Sequence, residues 1–382
     1  MVSQETAFPI ALFRSSMKVT STKIAKEPKP SSYLCRMKDI RKESLESLIA
    51  WFEEKGEKKF RAKQVWEWLW AKSAKSFDEM SNLSKSLRDS LKNEFVINHI
   101  TIDNSQLSND GTIKSAFRLH DKHVIEGVLI PADNRMTACV SSQVGCSLSC
   151  KFCATGYMKR ERNLDGGEIY DQVVAIRDQA EEHYKKPLSN IVFMGMGEPL
   201  LNYKGMMEGI DRITAEDGLN MSPKRITVST AGIAKMVQKL ADDEVKFNLA
   251  LSLHAADDKK RDSIMPINET NTLEALLKAL NYFYDKTGNR ITFEYILFYD
   301  FNDSIADADK LLKYARKVPG VRVNIIEYNP ISEASFTKAD PETIDRFANH
   351  LIKGGIHTSV RRSRGKDIDA ACGQLANKSK VA

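Results

Sequence analysis

An α/β architecture follows from three features of the 382-residue chain: a partial TIM-like barrel of six βα units behind a small N-terminal helical domain and a linking β-hairpin. First, apolar or β-branched runs begin near Met136, Asn190, Arg225, Phe247, Arg290 and Val321, with helical patterns such as Leu273, Leu276, Leu277 and Leu280 between them. Such repetition implies a parallel sheet with right-handed crossovers, and six units suggest an incomplete rather than a closed ring. Second, polar residues recur where these runs stop, the end at which such barrels carry their chemistry. Third, the stretch before the first run has helical rather than alternating periodicity.

The elements take their order from that frame. Residues 1–36 are rich in Ser, Thr, Lys and Pro without sustained periodicity, and no small-residue cleavage pattern follows the apolar piece at 7–13. A flexible tail is expected, not a secretory signal. Residues 37–100 read as a helical accessory domain. Leu45, Leu48, Ile49 and Phe52 share one helix face over 41–52, and further helices are expected over 60–70 and 84–95. The four tryptophans at helical spacing are expected in its core, with Lys58, Lys59, Arg61, Lys63 and Lys72 available to phosphates. A hairpin over 112–119 and 123–130 fills the linker at 101–131. The barrel with its C-terminal catalytic loop takes 132–375, including a seventh strand-like run at 357–360, and 376–382 is a tail.

Composition narrows the partners. A hydrophobic fraction of 42% supports a sizeable core, and a net charge of +6 is compatible with a polyanionic partner without requiring one. No apolar run approaches the roughly 18 residues of a membrane span. Of six cysteines, three crowd into eight residues, a pattern unsuited to a disulfide framework. Thiols kept free as ligands imply a reducing compartment, so a cytoplasmic protein is expected.

Those three are Cys146, Cys150 and Cys153, spaced CxxxCxxC directly after the first barrel strand with Phe152 before the last. A structural zinc site normally takes four protein ligands. Here no further Cys or His follows within twenty residues, and Cys139 sits back on the strand. Three ligands on a four-iron cluster leave one iron open to the amino and carboxylate groups of a small molecule, whereas ferredoxin-type sites close every position with Cys. The next strand runs into Gly195, Gly197 and Glu198, too short a glycine pattern for a dinucleotide fingerprint. Ser229, the Ser252-Leu253-His254 triplet and Asn329 end later strands, and their groups suit ribose, carboxylate and adenine edges.

The cysteine pattern at the end of a first barrel strand resembles the radical S-adenosylmethionine (SAM) superfamily. FRAKQVW at 60–66, IP at 130–131, CVSSQVGC at 139–146, GMGEPLLN at 195–202, SLHA at 252–255, EYNP at 327–330 and residues 361–373 resemble one family within it, the RlmN/Cfr RNA methyltransferases. The likeness covers about 38–375; Cys35 matches nothing. It implies one 4Fe–4S cluster on the three cysteines and two SAM molecules consumed per methylation. By the same resemblance Gly197 and Glu198 bind the methionine amino group, with Ser229, Ser252, Leu253, His254 and Asn329 completing the cofactor pocket. Cys372 carries the transferred methyl, Glu126 removes the ring proton, and Cys139 releases the RNA by forming a disulfide with Cys372. Basic neighbours are expected to favour the Cys139 thiolate. Arg361, Arg362, Arg364 and Lys366 are expected to hold phosphates. The implied substrates are 23S rRNA and tRNA, methylated at adenine carbon 2 by a monomer served by a donor such as flavodoxin or ferredoxin. The alternatives are Cfr-type methylation at carbon 8 and a non-catalytic iron–sulfur RNA-binding module.

Overall fold

A computed structural model describes residues 37–377. The expected tail at 1–36, with Cys35, lies outside the described residues, as do 378–382.

The helical segment forms as its periodicity predicts, with sharper ends. α1 (Leu45–Glu54) begins later than expected because the Ser44 hydroxyl accepts the Ser47 N–H, while Ile40–Lys42 turn separately behind Asp39. α2 (Phe60–Trp70) has the expected bounds, and Ser84 caps α3 (Lys85–Glu94) in the same way as Ser44. Trp66 and Trp70 are buried, and Trp51 and Trp68 are half-buried with their indole N–H groups on Glu94 and Asn82. Polar ties run from this segment to the helix after the cluster loop. Arg41 meets Asp171 at 2.8 Å, both side chains nearly sealed from water, and Ser73 meets Tyr170 at 2.7 Å.

Ten strands make one sheet in strict chain order. β1 (Thr101–Leu107), β2 (Ile113–Arg118), β3 (Val124–Ala132) and β4 (Arg135–Cys139) are antiparallel. From β4 onward every pair is parallel: β5 (Asn190–Phe193), β6 (Ile226–Thr230), β7 (Asn248–Ser252), β8 (Ile291–Leu297), β9 (Arg322–Glu327) and β10 (His357–Arg361). The crossovers are α4 (Gly166–Tyr184), α5 (Tyr203–Thr214), α6 (Ala234–Asp242), α7 (Asp258–Ile264) with α8 (Leu273–Thr287), α9 (Ile305–Ala315) and α10 (Pro341–Lys353). Six βα units with a seventh strand are the partial barrel expected, and no pairing joins β10 back to β1 among the described residues.

Sequence reading missed β1, an edge strand whose residues are mostly exposed and carry no apolar alternation. The central strands were legible for the opposite reason. β8 is buried at every position because helices cover one face and the barrel interior the other. Each fully buried Leu, Ile or Phe there contributes about 1.5–3 kcal/mol. Among the described residues no helix is long and apolar enough to cross a membrane.

Candidate active site

Cys146, Cys150 and Cys153 lie on the loop beyond β4, at the C-terminal end of the parallel strands. Backbone bonds set the loop's shape. The Cys153 N–H reaches the Cys150 carbonyl at 3.2 Å, and the Lys151 N–H reaches the carbonyl of Ile264, the last residue of α7, at 3.0 Å. A side chain at Gly156 would sit 2.7 Å from the Cys150 oxygen, so glycine is needed for the approach. All three thiols are free. Burial pushes Cys146 up to about 11, Cys150 well above its ordinary value, and Cys153 upward too. Neutral thiols of this kind become ligands when a cation displaces their protons, which fits a metal cluster. Among the described residues no three His, Cys, Asp or Glu side chains close on a single ion. Thiols that each serve a different iron need not.

The ends of β5, β6, β7 and β9 supply the neighbouring groups. Gly197 has φ +94°, and an added Cβ would lie 2.5 Å from that of Gln143. Both Glu198 oxygens are engaged by backbone, one by Leu200 N–H at 3.1 Å and the other by Ala231 N–H at 2.8 Å. Burial raises its carboxyl against those bonds. Glu198 therefore holds the β5 and β6 ends together. Ser229 and Ser252 meet across adjacent strands at 3.3 Å. Leu253 is buried in the core, its N–H on the Glu294 carbonyl at 2.9 Å. His254 has φ +54°, and its Nδ1 accepts the Ile296 N–H at 3.1 Å, which assigns its proton to Nε2. Burial holds that imidazole down at about 3, hence neutral, and its ring meets Phe152 edge-on at 4.7 Å.

The three residues assigned to the chemistry converge beneath the C-terminal segment. Glu126 on β3 is buried rather than on a solvated face, with Lys114 3.7 Å away. One oxygen of its carboxylate accepts the N–H groups of Ala376 and Asn377 at 2.9 and 3.1 Å. The same segment is tied down by Gly373 carbonyl to Ala154 N–H at 2.7 Å and by Leu375 carbonyl to the Thr155 hydroxyl at 2.6 Å. Asn329 touches the Cys372 carbonyl at 3.4 Å. Cys139, last residue of β4, is buried, and Cys372 is exposed; both are free thiols. Cys139 is driven up by burial and next by a negative charge on neighbouring Cys372. Desolvation at the buried end of β4 thus opposes the thiolate that basic neighbours were expected to favour.

Two further results depart from the sequence reading. The C-terminal basic cluster is partly neutralised: Glu327, at the end of β9, takes Arg362 at 2.8 Å, Lys366 at 2.7 Å and Lys338 at 3.2 Å. Burial favours protonating Glu327, but those three cations hold it down at about 2. Sequence reasoning also passed over Arg261 on α7, which is fully buried. Its guanidinium donates to the carbonyls of Ala231, Ser252 and Leu253, and its remaining partner is the Asn268 amide oxygen. The Asn268 nitrogen in turn holds Asp258 and Asp262 at 2.9 and 2.7 Å, so a neutral amide separates the cation from two carboxylates. The only hint in the sequence was its position in the first helix after the SLH triplet.

Comparison with known proteins agrees with this geometry. Residues 38–97 match the family model of the ribosomal RNA large subunit methyltransferase N-terminal domain, and 140–315 match that of the radical SAM superfamily. A relative from Cytophaga hutchinsonii, described as a probable dual-specificity RNA methyltransferase RlmN, is 57% identical over 97% of this chain and 98% of its own. One of the same description from Staphylococcus saprophyticus is 42% identical over 86% and 90%. The crystal structure of a radical SAM methyltransferase from Sphaerobacter thermophilus superposes with a TM-score of 0.83 at 40% identity, covering 88% of this chain and 99% of that one. The chain belongs to the RlmN family of radical SAM RNA methyltransferases.

Proposed function

We propose that the protein methylates carbon 2 of adenine in RNA, at the peptidyl-transferase region of 23S rRNA and at the adenosine 3′ of the tRNA anticodon. The observation that carries this reading is the pair of free thiols, Cys139 and Cys372, close enough to feel each other's charge beside a loop of three more. A non-catalytic binding module has no use for that pair. Cys146, Cys150 and Cys153 would hold a 4Fe–4S cluster, which, served by a flavodoxin- or ferredoxin-like donor, would supply the electron for reductive cleavage of SAM.

The chain's own residues do the rest. Carbon 2 is electron-poor and cannot displace a sulfonium methyl, so Cys372 accepts the methyl from a first SAM and presents its activated carbon to the base. Glu126 takes the ring proton. Because its carboxylate is covered by residues 376–377, that segment lifts when the base enters. Cys139 then attacks the Cys372 sulfur, the bond between that sulfur and the transferred carbon breaks, that carbon keeps the electron pair and takes up a proton to become the methyl group, and the two cysteines are left as a disulfide. The Cys139 proton leaves during the attack, since burial keeps the resting thiol neutral. His254 offers its Nε2–H, and the Ser229–Ser252 pair its hydroxyls, to the cofactor. The enzyme works in this reading as a cytoplasmic monomer.

Mass spectrometry of adenines from 23S rRNA and tRNA treated with the reconstituted protein tests it. The expected product is 2-methyladenine. An 8-methyl product assigns the Cfr-type reaction, and bound but unmodified RNA from a cluster-loaded protein assigns a binding module.

A further inference from the structure

A concave feature outside the catalytic end lies at the opposite end of the barrel. Ala132, Asp133, Asn134 and Arg135 form the β3–β4 turn there, Asn190 opens β5, Lys224 and Arg225 precede β6, and Arg290 precedes β8. They line a cleft of about 640 Å³, within the roughly 300–1,000 Å³ range of small-ligand sites. The five residues of β6 separate it from the catalytic loops by about 17 Å of strand.

Four of the lining residues are cationic and one, Asp133, is acidic. Lys224 is held by an amide, the Asn289 oxygen at 2.7 Å. Among the described residues the side chains of Arg135, Arg225 and Arg290 meet no carboxylate and donate no hydrogen bond. Lys186 leans on the rim, donating to the Asp133 carbonyl at 3.0 Å, and Arg322 stands on the strand next to Arg290. Burial, then Arg322 and Arg361, push the Arg290 guanidinium below its ordinary value. Like charges gathered in a concavity repel one another, and Asp133 alone among the lining residues offsets them. Charge focused in a cleft raises the local concentration of anions.

We propose that this cleft is a second anion site that takes a phosphate-bearing ligand. Planar guanidinium forks match tetrahedral phosphate oxygens in pairs, which a single Lys cannot do. The Asn134 and Asn190 amides add donors and acceptors for a sugar or base attached to the phosphate. The phosphate comes either from the backbone of the RNA substrate, which rests on the methyltransferase reading, or from a free phosphorylated small molecule, which does not.

The full chain is tested with two probes, inorganic tripolyphosphate by calorimetry and a tRNA transcript at several salt concentrations. The variants are the pair Arg225→Gln with Arg290→Gln and the pair Arg225→Lys with Arg290→Lys. Tripolyphosphate affinity should fall at least tenfold in the Gln pair and only a few-fold in the Lys pair, while RNA-independent SAM cleavage by the reconstituted protein stays at the parental rate. If the salt slope for tRNA also flattens by about one to two, the phosphate belongs to RNA; an unchanged slope assigns a free ligand. Parental tripolyphosphate affinity together with an unchanged slope in the Gln pair overturns the proposal. A protein that binds no tRNA at all would sink the RNA reading, while tripolyphosphate would still decide the cleft.

Discussion

The two ends of the barrel treat charge in opposite ways. At the catalytic end nearly every charged group has a built partner: Glu327 gathers three cations, Glu198 is met by backbone N–H groups, and Arg261 is saturated by carbonyls and an amide. At the opposite end, Arg135, Arg225 and Arg290 share a cleft without side-chain partners among the described residues. The catalytic end is thus organised in advance for groups that must be held to a fixed geometry. The far end has its charge left over for something external. A sequence count of cations does not distinguish the two, and the expected phosphate grip at 361–366 was placed where half of its cations are already taken.

The largest effect breaks the catalytic end outright. Cys150→Ala removes one of the three thiols assigned to the cluster, so iron–sulfur absorbance and 5′-deoxyadenosine release should both disappear. Cleavage at the parental rate would show that the ligand assignment is wrong.

Next in size is Arg261→Gln, which shortens the side chain that ties the carbonyls after β6 and β7. Each buried carbonyl left unsatisfied costs on the order of 1–3 kcal/mol, read as a lower urea midpoint of the apoprotein. A variant as stable as the parent would mean that Arg261 holds nothing together.

The smallest change sharpens the contrast between the ends. Glu327→Gln should release Arg362 and Lys366, strengthening tRNA binding several-fold and steepening its salt slope by about one to two. An unchanged slope would place those cations away from the RNA path. The same carboxyl has a pH signature. Its folded-state pKa is held down at about 2 by the three cations, below the ordinary value of 4.5. The stabilisation is therefore complete above about pH 4.5 and is lost as pH falls from there toward 2. Thermal unfolding of the parent should lose ground to Glu327→Gln across that window; parallel curves would contradict it.

Much of this was readable from the chain. Strand order, the thiol loop and the polar strand ends announce themselves through periodicity and spacing, because buried parallel strands are nearly all apolar and their last residues are not. What stayed hidden depends on distant partners. β1 is an exposed edge strand with no alternation to see. Arg261 looks like any helix-surface arginine until α7 is laid across the ends of β6 and β7. Glu126 shows nothing in the sequence to reveal that Lys114 and residues 376–377 enclose it. The burial that opposes a Cys139 thiolate stayed hidden because basic residues in the sequence say little about desolvation at the end of a buried strand.

The two-thiol route is tested most directly by Cys139→Ala, run against its double variant with Cys372→Ala. With Cys139 gone, the thioether between Cys372 and the base has no thiol to open it, and thioethers do not hydrolyse under mild conditions. The single variant should load its cluster, methylate Cys372 and then stall, giving on a denaturing gel a protein–RNA band that nuclease trims to a modified peptide containing Cys372. The double variant should give no such band. Free methylated adenine at the parental yield from Cys139→Ala would contradict the account.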